Sequence, residues 1–284
     1  MNKIIDLSTF DLRFPTSEHL DGSDAMNLDP DYSAAYVVLH TESNIEGHGL
    51  TFTIGRGNEV CVKAIEAMRP LVIGLELEWI RKNLGKFWQK MTGDSQLRWI
   101  GPEKGVIHLA TSAIVNAVWD LLSKREKKPV WQFVSEMPSE EILNTIDFRY
   151  ISNVITPNQA LKILKNLENS KNERISKLKA EGYSSYTTSA GWLGYNNQKL
   201  KKLCLQLKKS GFKYAKFKVG KNIKDDIKRL EIIRKELGDH FNIMIDANQV
   251  WEVDQAIDWI KKLSFSKPLF IEEPTNPDDI IGHK

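Results

Sequence analysis

From Tyr186 onward the chain repeats one pattern, a short strand-like segment followed by an amphipathic helix-like one. The strand candidates are Ser185–Thr188, Tyr214–Val219, Ile243–Asp246 and Leu269–Glu272. Between them lie Asn197–Ser210, Ile223–Leu237 and Val253–Leu263, each with helical spacing of its apolar residues. With Tyr186, Lys216, Asp246 and Glu272 as markers, the steps are 30, 30 and 26 residues. Parallel strands need a long crossover, and a helix is the usual one, so this repeat predicts a parallel β/α architecture. A doubly wound sheet and a TIM-type barrel both fit. No G-x-G-x-x-G follows the first strand, which argues against a dinucleotide site. Four units make half of an eightfold barrel.

The first part of the chain is organised differently. Lys3–Phe14 and Ala34–Thr41 are predicted strands, separated by a loop of turn formers, Asp21–Met26. Gly47–Gly57 reads as a second, Gly-rich loop. Helices are predicted over Glu59–Leu71, Glu76–Met91 and Gly105–Arg125, the last with an apolar stripe at Val106, Leu109, Ala110, Ala113, Ala117 and Leu121. Strands followed by helices make an α+β unit over residues 1–126. Residues 127–284 form the β/α part, entered through a helical stretch at Pro157–Glu181. A chain of 284 residues suits two such domains.

Composition excludes some classes. The net charge is +3, and the lysines of Lys221–Glu236 alternate with acids, which makes a solvated face and not a nucleic-acid surface. Cys61 and Cys204 are the only cysteines, which predicts a reduced, intracellular protein with both thiols buried. No run of 18 apolar residues is present, so no membrane span is expected. Residues 1–10 have neither a signal-peptide core nor transit-peptide character, so the expected location is the cytoplasm, with the mitochondrion left open.

The chemistry gathers at the strand ends. Lys216 and Lys218 are two apart and point to one side of a strand. Asp246 closes the third strand and Glu272 the fourth. One such residue is ordinarily a solvated terminus or half an ion pair. Four in phase, at three consecutive strand ends, point to a site at the C-terminal mouth. Asp246 and Glu272 are hard oxygen ligands suited to Mg²⁺. Two lysines in one pocket repel, which lowers one pKa and makes a general base. Glu273 is expected on the face opposite Glu272, toward the helices. Trp99, Trp119, Trp192 and Trp251 are expected to pack.

The order Lys216-Phe217-Lys218, Asp246-Ala247-Asn248, Glu272-Glu273-Pro274 resembles the mandelate racemase subgroup of the enolase superfamily. Arg13–Thr16, Asp24–Met26, Asp29–Tyr36, Arg98–Gly105, Tyr186–Ser189 and Trp192–Tyr195 are similar to L-fuconate dehydratases and their animal relatives. The resemblance implies an α/β protein with an N-terminal α+β capping domain followed by the first half of a TIM-type barrel. It implies Mg²⁺ on Asp246 and Glu272, with Lys218 as the base at C2 of a sugar acid. Lys216 and Asn248 would touch the substrate carboxylate, with Glu272 beside it. Gly22, Ser23, Asp24 and Tyr32 would contact the sugar, and Gly47–Gly57 would form the other side of the lid. By composition alone Asp24 is a turn former, Tyr32 a packing residue and Asn248 a cap.

The implied reaction removes the C2 proton and eliminates the 3-hydroxyl, converting L-fuconate to 2-keto-3-deoxy-L-fuconate. Another aldonate or aldarate, or racemisation, is the alternative within the family, and an inactive binding product the alternative outside it. The implied partner is a small-molecule sugar acid, with no nucleic acid and no membrane, in a homo-oligomer when intact. Family members carry a third metal carboxylate and a His–Asp pair on later strands. The sequence to Lys284 lacks them, so the chain is expected to be a fragment, inactive alone.

Overall fold

A computed structural model describes residues 2–101 and 103–284; Met1, and Pro102 within the Arg98–Gly105 motif, lie outside the described residues. The chain divides into two compact units. One runs to Phe14 and resumes over Tyr32–Gly182; the other joins Pro15–Asp31 to Tyr183–Lys284.

In the first unit β1 (Ile4–Arg13), β2 (Ser33–Thr41) and β3 (Gly47–Thr53) form an antiparallel sheet in that order. Period-2 alternation places Leu7 opposite Leu39 and Val37 opposite Gly49. Residues 47–53 are therefore strand, where a glycine-rich loop was expected. The glycines serve close packing. A Cβ on Gly47 would sit 2.3 Å from the Ala117 carbonyl oxygen, and one on Gly49 would sit 2.1 Å from that of Ala113. Both carbonyls belong to α2 (Val106–Arg125), which crosses this strand on its small residues. Helix α1 (Asn58–Ala67) packs against both the sheet and α2.

α2 has the length and apolar composition of a membrane span. Its Ile107, Ala110, Ala113, Ile114, Ala117, Val118 and Leu121 are instead buried in the core with Leu7, Val37, Leu39 and Ile65. It is the central helix of this unit. Leu109, expected in the buried stripe, is 41% exposed, because the stripe is centred on Ile114. Trp119 meets Phe133 edge-on, but Trp99 is 88% exposed and does not pack as expected. The predicted helix over 76–91 is two, Leu77–Lys82 and Leu84–Thr92, and that over 157–181 is Pro157–Glu168 and Lys171–Glu181.

In the second unit β4 (Tyr214–Lys218), β5 (Asn242–Asp246) and β6 (Ile271–Glu272) are parallel and adjacent in chain order. Thr187 adds a single bridge to Ala215 where a full strand was expected. The helices are α3 (Asn197–Lys209), α4 (Ile223–Leu237) and α5 (Val253–Leu263). Asn196 caps α3 by accepting from the Lys199 N–H, and Asn222 caps α4 by accepting from Lys224 and Asp225.

Ala215, Phe217, Ile243 and Ile245 share a core with Leu200, Cys204, Leu230 and Ile233 of the helices. Alternation then forces Lys216, Lys218, Met244 and Asp246 onto the other face. That face is the one a barrel turns inward.

Candidate active site

Register builds the site. Lys218 pairs with Asp246 across β4–β5, and Asp246 pairs with Glu272 across β5–β6. Three charged side chains thus stand level, with Lys216 one step behind on the same side. Lys218 Nζ donates to Asp246 Oδ2 at 2.7 Å and to Asn248 Oδ1 at 2.7 Å. Lys216 Nζ reaches both carboxylates, Glu272 Oε2 at 2.6 Å and Asp246 Oδ2 at 2.9 Å. Asp246 is 1% exposed, Lys216 6% and Lys218 8%. Tyr186 and Trp192 place their rings 5.5 Å from Lys216 Nζ and 5.7 Å from Lys218 Nζ.

The electrostatics follow from this pairing. Burial alone would lower the Lys216 pKa, but its hydrogen bonds to Glu272 and Asp246 outweigh burial and hold it above the ordinary lysine range. The expectation that lysine–lysine repulsion would dominate is not met at Lys216, because two carboxylates stand closer. Asp246 shows the complement: burial would raise its carboxyl, and the hydrogen bonds from Lys218 and Lys216 bring it below the usual range.

Beyond the strands the backbone turns left-handed at three non-glycine residues, Asn248 (φ 50°), Gln249 (φ 66°) and Glu273 (φ 46°). Strand alternation therefore stops at Glu272. Glu273, expected to face the helices, accepts from Asn248 Nδ2 at 3.2 Å and Gln249 Nε2 at 3.0 Å. It orients the amide whose oxygen meets Lys218. No pattern in the sequence marks this role, since it depends on a conformation unusual for glutamate.

The structure brings Lys216, Lys218, Asp246, Asn248 and Glu272 together. Gly22, Ser23 and Asp24 fall in the same unit and are engaged by its own backbone. Gly22 has φ 85°, a turn conformation suited to glycine. Ser23, 1% exposed, donates through Oγ to the Leu20 carbonyl and accepts from the Gly194 N–H. Asp24 Oδ1 accepts from the Met26 and Asn27 N–H groups, the turn role its composition suggests. Tyr32 belongs to the first unit, where its ring meets Phe52 edge-on at 4.9 Å. Trp192, expected only to pack, is a neighbour of the candidate base. Trp251 packs on Trp259, centroids 5.2 Å apart.

Asp246 and Glu272 already share one cation, the Lys216 ammonium. That shared position is a stand-in for a metal ion between two hard anionic oxygen donors, and the donor chemistry fits Mg²⁺. Among the described residues no third ligand of the His, Cys, Asp or Glu type completes a set with them.

An α+β unit, with a parallel β/α unit carrying lysines and carboxylates at its strand ends, defines an enolase-type protein with a capping domain and a barrel-type domain. Residues 25–134 match the mandelate racemase/muconate lactonizing enzyme N-terminal domain, and residues 199–284 match the enolase C-terminal domain-like family. The chain belongs to the mandelate racemase/muconate lactonizing enzyme family of the enolase superfamily.

The crystal structure of human mitochondrial enolase superfamily member 1 superposes with a TM-score of 0.97 at 50% identity, over 99% of this chain and 64% of that one. L-galactonate dehydratase of Hypocrea jecorina is 52% identical over 96% of this chain and 62% of its own length. A racemase from Streptomyces coelicolor with bound magnesium has a TM-score of 0.72 at 25% identity, over 98% of this chain and 64% of that one. The chain thus spans less than two thirds of the length of these relatives.

Proposed function

We propose that this chain forms the capping domain, residues 1–126, and the first barrel strands, residues 127–284, of a Mg²⁺-dependent sugar-acid dehydratase acting on L-fuconate. The observation that carries this reading is the convergence of Lys216, Lys218, Asp246 and Glu272 from three consecutive strand ends. Asp246 and Glu272 would hold the metal, which supplies positive charge beside the carboxylate of the bound acid. Lys218 Nζ, once it has given up its own proton, removes the proton from C2, a step in which a positioned base contributes about 10²–10⁴-fold. Lys216 and Asn248 donate hydrogen bonds to the carboxylate oxygens as charge accumulates there. The C3–O bond then breaks, the 3-hydroxyl takes up a proton from solvent and leaves as water, the C2 proton held on Lys218 passes to solvent in turn, and the enol tautomerises to a 2-keto-3-deoxy acid.

Gly22, Ser23, Asp24 and Tyr32 are the residues we assign to recognition of the sugar, Ser23 and Asp24 through the shape of their turn. The name of the Hypocrea jecorina relative favours L-galactonate as the second substrate to try. Racemisation of a related acid is the remaining reading within the family. The intact enzyme is proposed to be a homo-oligomer. Cell fractionation decides between the cytoplasm and the mitochondrion of the human relative's name. We assign turnover to a polypeptide of the relatives' length and expect none from residues 1–284 alone.

The test is to express the complete coding sequence and assay 2-keto-3-deoxy acid formation from a panel of sugar acids with Mg²⁺, beside Lys218→Ala. Turnover of L-fuconate or L-galactonate that Lys218→Ala abolishes supports the reading. Consumption of no sugar acid overturns it.

A further inference from the structure

Arg229, on α4, is 7% exposed, and the mechanism above does not use it. Its guanidinium donates to three carbonyls of one loop: Nη1 to Tyr195 at 3.0 Å, and Nη2 to Trp192 at 3.1 Å and Gly191 at 3.4 Å. The Gly191 carbonyl also accepts the backbone N–H of Lys218 at 2.9 Å. This loop lies flush on β4, for a Cβ at Gly191 would be 2.2 Å from the Lys216 carbonyl oxygen and 2.9 Å from Phe217 Cα. It carries Trp192, whose ring neighbours Lys218 Nζ.

Two of the loop's N–H groups, and the Tyr195 hydroxyl, serve a different segment. Leu193 N–H donates to the Ser23 carbonyl at 3.0 Å, Gly194 N–H donates to Ser23 Oγ at 2.9 Å, and the Tyr195 hydroxyl donates to Asp21. Within residues 191–195, three carbonyls are therefore tied to Arg229 and two N–H groups to Ser23. A planar, always-charged fork is the one side chain that can hold several carbonyls at fixed angles, and a lysine ammonium cannot reproduce it.

We infer that Arg229 is a positioning residue for Lys218: by clamping Gly191, Trp192 and Tyr195 it fixes the loop against β4 and keeps the Ser23 turn docked on that loop. The inference rests on the reading of Lys218 as the base.

Arg234 supplies the control. It lies on the same helix and clamps carbonyls in the same way, those of Ser266, Gly238, Phe241 and Lys267, none of them in the 191–195 loop. The experiment compares Arg229→Lys and Arg234→Lys in the full-length, Mg²⁺-loaded protein by steady-state kinetics, thermal unfolding and amide hydrogen exchange. Arg229→Lys is expected to lower kcat about 10- to 100-fold with KM changed by less than about threefold. It is also expected to accelerate exchange at Leu193 and Gly194 by at least about tenfold. Arg234→Lys is expected to lower Tm comparably, with kcat within about twofold of wild type and those two amides unchanged.

Loss of activity in proportion to lost Tm in both variants, or an Arg229→Lys enzyme with wild-type kcat, overturns the inference. Should the wild-type enzyme turn over no sugar acid, the dehydratase reading fails, while unchanged exchange at Leu193 and Gly194 would still separately overturn the clamp. If Arg229→Lys does not fold, the wild type decides: these two amides must exchange as slowly as those of β4, and fast exchange rejects the clamp.

Discussion

Lys218 and Asp246 are register partners on adjacent parallel strands, and their side chains meet at 2.7 Å in a setting almost closed to water. The pair belongs to a cluster of two ammonium and two carboxylate groups, so its charges balance. Removing one member unbalances it. Asp246→Ala is expected to leave two buried ammonium groups facing each other and to cost about 3–5 kcal/mol. Urea unfolding of this variant beside Lys218→Met checks the estimate, and a loss below about 1 kcal/mol would contradict it.

Chelation should separate activity from folding. Because Lys216 and Lys218 together balance Asp246 and Glu272, stripping divalent ions from the full-length enzyme proposed above with EDTA is expected to abolish turnover while lowering stability by no more than about 3 kcal/mol, the linkage expected for ligand near 100 times its Kd. Added Mg²⁺ should restore the rate. Calorimetry with and without EDTA reads the stability, and global unfolding on chelation would show a structural metal instead.

Cys204 offers a pH-dependent readout away from the site. Burial, aided by the Glu236 charge, pushes its thiol up to about 12 from 9.0. The folded state therefore keeps the proton through a range where the unfolded chain releases it. The stability this contributes is complete below pH 9 and is lost as pH rises toward 12. At pH 8 a thiol reagent is expected to label Cys204 only after unfolding in urea, and rapid labelling of the native protein would refute its burial.

Gly49→Ala tests the strand that the sequence hid. Its Cβ would meet the Ala113 carbonyl oxygen at 2.1 Å, with backbone on both sides and no flexible side chain to give way. A loss of roughly 1–3 kcal/mol or more is expected, read as a lowered Tm. Gly57→Ala, where no atom lies within 4 Å of the added Cβ, should show only the cost of its positive φ.

The 30-residue repeat and the in-phase charges were enough to predict the parallel sheet and the group Lys216, Lys218, Asp246, Glu272, because period-2 alternation and strand order act locally. Apolar residues at 215, 217, 243 and 245 demand one face, which leaves the lysines and Asp246 the other. What local pattern could not show depends on contacts between distant segments. Gly47 and Gly49 look like loop residues until α2 lies against them. Glu273 leaves the strand alternation only because its backbone turns left-handed and its carboxylate finds Asn248. Ser23 shows no partner in the sequence, yet its hydroxyl holds Gly194, some 171 positions away. The sequence by itself determined which residues carry charge at the strand ends. The tertiary structure decided how those charges neutralise one another, because that balance is set by distances of 2.6–2.9 Å between side chains brought together only when the strands pair.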